Sequence, residues 1–342
     1  MSRTLIVRRT GPGVTVQDMG RPGRIGDGLS RGGAADRLAL YEGAALLGQP
    51  AGLAALEMAG FGGEFEAGAD LRIALTGAPM AATLDGSRLA WNASHALPKG
   101  ARLSIGGAEA GSYGYLHVGG GFDTPEVLGA RSAHLAAGIG APLAAGDVLP
   151  VGADARPGAV GLCLAADPRF DGGRVRVVAG PQTGFFGASE TARFAAEGFR
   201  RDARGNRMGV RLLPDGAPFA SEAGLSILSE TVVPGDIQIT GDGSPFVLLA
   251  ECQTTGGYPR IGTVIAADLP RVAQAAAGAV LRFAFIDIAQ GRDIDARERR
   301  RIAALRGAVR PLLRDPATIR DLLSYQLISG VTAGDDLDRR EA

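Results

Sequence analysis

Apolar residues along this chain come in short runs cut by Gly, Pro and Asp, and several alternate with polar ones. Leu71–Leu75, Ala101–Ile105, Gly114–Val118, Arg174–Val178 and Pro245–Leu249 are runs of this kind. Their length, β-branched content and turn punctuation predict strands. Two segments read differently. Ala34–Leu47 places Leu38, Tyr41 and Ala45 on one helical face behind Asp36, a residue suited equally to a helix cap or a base. Leu269–Ala277 follows Asp268 as a short helix. The expected protein is mainly β with a few helices.

An internal echo bears on the domain count. Gly120-Gly121-Phe122 precedes Ala144-Ala145-Gly146-Asp147-Val148-Leu149, and Gly256-Gly257-Tyr258 precedes Ala276-Ala277-Gly278-Ala279-Val280-Leu281. Single cores stop growing at roughly 250–300 residues. A chain of 342 residues therefore predicts two domains, 1–168 and 169–290, joined by a linker near 165–173. Residues 291–342 form a third segment. There Ile294, Ile302, Leu305, Val309, Leu312 and Leu313 approach helical spacing, with Pro311 and Pro316 as breakers and a frayed end at Asp335–Arg340. Six arginines against one glutamate between Arg297 and Arg310 make this helix either an anion binder or a solvated face over the barrel. Solvation is the ordinary case for a charge run.

Charge narrows the functions. Lys and Arg number 36 and so do Asp and Glu, so nothing draws the chain globally to nucleic acid or an anionic membrane. Lys99 is the one lysine, and its neighbours form no P-loop. The 53 glycines read as turn chemistry, since 46% of the chain is still hydrophobic. Cys163 and Cys252 outline no disulfide framework. No run approaches the ~18 apolar residues of a membrane helix, and the first residues read as a strand. A soluble cytoplasmic protein is expected.

Chemistry is concentrated in polar clusters beside glycine. His95, His117 and His134 lack metal-ligand spacing, His117 reads as a structural histidine within a strand, and no GxSxG, HExxH or GxGxxG occurs. No metal is expected. Glu251–Arg260 follows an apolar strand and joins Gln253, Thr254, Gly256, Gly257, Tyr258 and Arg260. The amide and hydroxyl offer neutral hydrogen bonds, the glycine pair admits close approach, and Arg260 suits a carboxylate or phosphate. Arg207 in Gly205–Arg211, and Arg131 with Ser132 in Gly129–Ser132, fit either anion recognition or arginine-stabilised turns. Gln17–Gly23 and Ser30–Arg37 complete the clusters, and Glu57 and Glu230 are the best carboxylates for proton transfer.

These clusters carry a family resemblance. Val16–Gly23, Ala35–Ala39, Leu56-Glu57, Val118–Phe122, Leu128–Ser132, Asn206–Gly209, Val233–Gln238 and Gln253–Pro259 resemble the biotin-dependent carboxyltransferase-domain family, in order from about Val7 to Phe283. The family is also called allophanate hydrolase subunit 2 and includes the 5-oxoprolinase C subunit, as well as the KipI antagonist. Leu327–Gly334 is similar to bacterial members too. The resemblance implies two cyclophilin-like β-barrel domains. It implies ATP-dependent ring opening of 5-oxo-L-proline to glutamate, carried out with the A and B subunits of 5-oxoprolinase, the latter KipI-like. Two alternatives come with it: a carboxyltransferase using biotin on a separate carrier, since Leu97-Pro98-Lys99-Gly100 is no biotinyl site, and a non-enzymatic KipI-binding regulator.

On the matching motifs, Arg131, Ser132, Arg207 and Arg260 are assigned to phosphate or the substrate carboxylate. Gln253 and Thr254 would orient the lactam beside Gly256, Gly257 and Tyr258, and Glu230 or Glu57 would move a proton. Two departures stand out: Ser30–Asp36 differs from the Ser-Gly-Pro-Met-Asp of many members, and Arg260 replaces a frequent lysine.

Overall fold

The computed structural model describes residues 3–224 and 226–313. Pro316, Leu327–Gly334 and Asp335–Arg340 lie outside the described residues.

The first half begins with β1 (Thr4–Thr10), β2 (Thr15–Gln17) and helix α1 (Arg37–Leu47). Then come β3 (Ala55–Ala59), β4 (Phe61–Ala67), β5 (Leu71–Gly77), β6 (Met80–Leu84) and β7 (Ser87–Arg88). It ends with β8 (Ala93–Leu97), β9 (Arg102–Ala108), β10 (Tyr113–Val118), β11 (Val148–Pro150) and β12 (Leu162–Cys163). Two sheets result, ordered β11-β1-β4-β9-β6-β7 and β2-β3-β10-β5-β8-β12. Leu5, Val7, Phe65 and Ile105 of one sheet meet Leu56, Ile73, Leu75 and Leu116 of the other in one core. All seven residues of β5 are buried, because α1 covers the face that the other sheet leaves open.

Asp36 settles its two readings as a cap. Its Oδ1 accepts from the Leu38 and Ala39 amides at 3.0 and 3.3 Å, and Oδ2 accepts from Arg169 and Gln274. Gly43 lets α1 lie directly on the His117 ring, where a β-carbon would collide. His117 itself is a structural histidine, 2.8 Å from Thr76 Oγ1, and burial pushes its pKa down to about 3.

The second half holds β13 (Gly173–Val178), α2 (Ala188–Ala196), β14 (Gly198–Arg201), β15 (Gly209–Pro214) and β16 (Glu230–Thr231). After these come β17 (Asp236–Ile239), β18 (Pro245–Leu248), β19 (Thr255–Gly256) and β20 (Arg260–Val264). Helix α3 (Leu269–Gln274) and β21 (Val280–Ile286) complete it. A closed barrel forms in the order β13-β20-β17-β18-β15-β14-β21, and β16 pairs with β19 outside it. Phe194 of α2 plugs the barrel, its ring 4.9–5.6 Å from those of Phe199, Phe219 and Phe283. The two echoed strands pair in opposite senses: β11 is antiparallel to β1, whereas β21 is parallel to β13.

Helix α4 (Ile288–Ala308) opens with an Asp287/Gln290 capping box and leads to β22 (Arg310–Pro311). It does not lie over the barrel alone. Leu305 and Val309 pack beside Leu46 and Leu47, Arg306 donates to the Gln49 carbonyl at 2.9 Å, and β22 pairs with β12. The charged helix therefore straps one half to the other, with Arg301 tied to Glu298 and Asp167. A buried clasp adds to the strap, since Arg169 binds both Asp36 and Glu42 at 2.7 Å.

Candidate functional site

Where the two halves meet, a buried ion cluster lies beside a cleft of about 330 Å³, a volume suited to a small ring. Glu57 comes from β3, Arg207 from the turn before β15, and Glu251 from the segment after β18. The turn is fixed locally: Asn206 and Gly209 exchange backbone hydrogen bonds, and Asn206 Oδ1 accepts from the Met208 amide at 2.8 Å. This geometry sends Arg207 inward and leaves Met208 39% exposed at the cleft. Arg207 Nε donates to Glu251 Oε1 at 2.6 Å, Nη1 to Glu57, and Nη2 to the Gly33 carbonyl. Glu57 Oε2 also accepts from the Ala35 amide at 2.8 Å and the Tyr115 hydroxyl at 2.6 Å. Glu251 Oε2 accepts from the Ala136 amide at 3.2 Å.

The electrostatics follow from that wiring. Both carboxylates hold the Arg207 pKa above its ordinary value against the opposing effect of burial. Burial and the nearby Glu57 charge push Tyr115 well up, so its phenol remains a donor. The cleft walls are largely apolar, from Ala59, Leu135, Ala136 and Met208, with Tyr113 and Glu251 as polar edges. Glu251 is thus the carboxylate that faces the cleft. Glu57 lies behind it, and Arg207 positions both.

The sequence-nominated groups fall into three places. Glu57 and Arg207 meet in the buried cluster beside the cleft. Glu230, Gln253, Thr254, Gly256, Gly257, Tyr258 and Arg260 gather at one end of the barrel, where β16 pairs with β19. There Arg260 binds Glu230 at 2.5 Å and Asp236 at 3.2 Å, and Gln253 donates to Gln238 Oε1 at 3.2 Å. Gly256 makes room for the Gln238 amide, whose nitrogen is buried without a partner. Arg131 and Ser132 lie in a loop of the first half. The Arg131 side chain pairs with Asp123 at 2.8 Å, and Ser132 is gripped by buried Arg21 through its hydroxyl and carbonyl. All three nominated arginines, Arg131, Arg207 and Arg260, are engaged by protein carboxylates.

Ser30 and His134 form a pair that sequence spacing does not reveal, 2.9 Å apart and both buried. They lie 104 positions apart, and no spacing rule joins them. His134 Nδ1 accepts from the Ala137 amide at 3.3 Å, which puts the ring proton on Nε2, facing Ser30. That tautomer orders the loop and does not activate the hydroxyl. Cys252 is equally unsuited to nucleophilic chemistry, because burial pushes its thiol up to about 12.

The residues offer no biotin attachment: Lys99 lies in the turn between β8 and β9 and does not line the cleft. Nor does the Gly119–Gly121 run form a phosphate cradle, because β-carbons at Gly119 and Gly120 would strike Asp154 and Gly152. Among the described residues, no group of three or more His, Cys, Asp or Glu side chains forms a metal site. No helix there is long and apolar enough to cross a membrane.

Fold and cleft together define a strand-rich protein whose two halves share a cleft of about 330 Å³ at their junction. Residues 27–285 match the carboxyltransferase domain, subdomain A and B, and the chain belongs to that family. It is 35% identical to the 5-oxoprolinase C subunit of Escherichia coli over 82% of this chain and 90% of that one. For the 5-oxoprolinase C subunit of Haemophilus influenzae the identity is 32%, over 80% and 88%. The crystal structure of TTHA0988 superposes with a TM-score of 0.76 at 33% identity, covering 83% of this chain and 56% of that one. Kluyveromyces lactis urea carboxylase shares the fold, with a TM-score of 0.80 at 23% identity over 92% of this chain and 31% of its own.

Proposed function

We propose that this chain is the C subunit of a cytoplasmic, ATP-dependent 5-oxoprolinase, acting with the B and A subunits to open 5-oxo-L-proline to L-glutamate. The observation that carries the reading is the 35% identity to the Escherichia coli C subunit over 90% of that protein. A lactam resists hydrolysis because its nitrogen lone pair is delocalised into the carbonyl. ATP, the co-substrate of the complex, would supply the phosphoryl group that activates the carbonyl carbon, so that water adds there, the C–N bond breaks as nitrogen takes up a proton, and phosphate is released.

This chain's contribution is to bind and orient the ring and to move a proton. The ring's methylenes suit the apolar walls formed by Ala59, Leu135 and Met208. Glu251 is the base at the cleft surface, and Arg207 holds it in place. Gln253 and Thr254, two and three residues beyond Glu251, do not reach the ring and instead fix the barrel end, Gln253 through its bond to Gln238 and Thr254 through its carbonyl to the Val232 amide. Glu57 keeps Arg207 in place. Glu230, Arg260, Arg131 and Ser132 stabilise the surrounding loops. Purified chain mixed with the B and A subunits should release ADP in proportion to 5-oxo-L-proline consumed. Well-folded subunits that form a complex and release none would refute the proposal.

A second reading rests on a different observation. The chain is 27% identical to Saccharomyces cerevisiae urea amidolyase over 80% of its own length, though over 16% of that protein. In this reading the same cleft accepts a carboxyl group from biotin on a separate carrier. Carboxylation of an acceptor by a biotin-loaded carrier, without 5-oxoproline-dependent ADP release, would favour it.

A further inference from the structure

Arg201 ends β14, is 7% exposed, and makes no side-chain hydrogen bond or ion pair among the described residues. Its Nε is buried without a partner. The nearest acid in sequence, Asp202, spends its direct ion pair on Arg204 at 2.6 Å and reaches Arg201 only through longer-range attraction. A largely buried guanidinium with no direct ion pair is costly to keep. Its guanidinium packs directly against Gly205, where a β-carbon would stand 2.6 Å from Arg201 Nη2. Gly205 also lines the cleft, as does Tyr113, whose hydroxyl is within electrostatic reach of Arg201. The Tyr113 hydroxyl has no hydrogen-bond partner among the described residues, and burial pushes its pKa up to about 12, so it too remains a donor. Carboxylates raise the pKa of Arg207, whereas burial lowers that of Arg201. One arginine is satisfied by the protein, and the other is not.

We infer that Arg201, with the Tyr113 hydroxyl, is the receptor for the carboxylate of the ligand that occupies this cleft. A monoanionic carboxylate fits better than a phosphate, because one guanidinium and one phenol supply the donors and Glu251 repels a second negative charge. The inference rests on the proposed function only for the identity of the ligand, 5-oxo-L-proline. The recognition of a carboxylate follows from the unpaired arginine itself.

The test compares 5-oxo-L-proline, its descarboxy analogue 2-pyrrolidinone, acetate and inorganic phosphate as probes on the full chain, alone and with the B and A subunits. Titration calorimetry and thermal melting are the readouts. Wild-type protein is expected to bind 5-oxo-L-proline at least about tenfold more tightly than 2-pyrrolidinone. Arg201→Met should abolish that preference without lowering the ligand-free Tm, since it removes an unpaired buried charge. Arg201→Lys, which keeps the charge but loses the fork, should retain part of the preference. An Arg201→Met protein that still prefers the carboxylate would overturn the assignment, even in a complex that turns over 5-oxoproline. Stronger binding of phosphate, or no binding of any probe, would overturn it as well. If acetate binds through Arg201 but 5-oxo-L-proline neither binds nor is turned over, the carboxylate receptor stands and the oxoprolinase reading falls.

Discussion

Arg201 and Arg207 are six residues apart and both are buried, Arg207 lining the cleft and Arg201 packed behind its Gly205 wall, yet the protein treats them in opposite ways. Arg207 commits its Nε and one Nη to two glutamates and the other Nη to a carbonyl. Arg201 directs no donor to any neighbouring side chain. The first is a piece of scaffold that sets the direction of Glu57 and Glu251. The second is a charge left for a ligand. An arginine close to glycine in a strand-end motif therefore signals an anion site only when none of the protein's own acids pairs with it directly.

This contrast is sharpest in stability. Arg207→Met leaves two buried glutamates facing each other, and chemical denaturation should show a loss of about 3–5 kcal/mol. Arg169→Met, which strips Asp36 and Glu42 of their common partner, should fall in the same range of about 3–5 kcal/mol. A Tm unchanged in either variant would erase the distinction between paired and unpaired arginines. Glu251→Gln keeps the hydrogen bond from Arg207 but removes the base, and steady-state kinetics of the complex should show kcat lowered by about 10²–10⁴-fold. The smallest effect belongs to Glu230, whose side chain is 51% exposed in its pair with Arg260. Glu230→Gln should cost less than about 1 kcal/mol, and a larger loss would mean that the barrel end, and not the cleft, is the energetic centre.

Much of the scaffold is legible in the chain. β5, β9, β10, β13 and β18 fall on the apolar runs because strand periodicity and turn residues are local signals. Asp36 is readable as a cap for the same reason. Partner choice is not legible. Glu57 and Arg207 are 150 positions apart, and Ser30 and His134 are 104 apart, so only the folded topology brings them together. An anion-binding role for Arg131, Arg207 or Arg260 requires a free guanidinium, whereas Asp123, Glu57, Glu251, Glu230 and Asp236 already occupy them. Arg201 gives no signal in the sequence, since its distinction is the lack of a direct ion-pair partner among the described residues. The strap formed by α4 is hidden similarly: its arginines suggest solvent, while Leu305 and Val309 lead it back to α1.

The central claim is that the cleft at the junction of the halves holds the substrate. Met208 is 39% exposed at that cleft, so Met208→Trp can fill it without disturbing either core. The decisive measurement is 5-oxo-L-proline-dependent ADP release by the complex reconstituted with this variant. Retained melting temperature with turnover reduced at least about 100-fold is the predicted result. Wild-type turnover by a folded Met208→Trp complex would contradict the account.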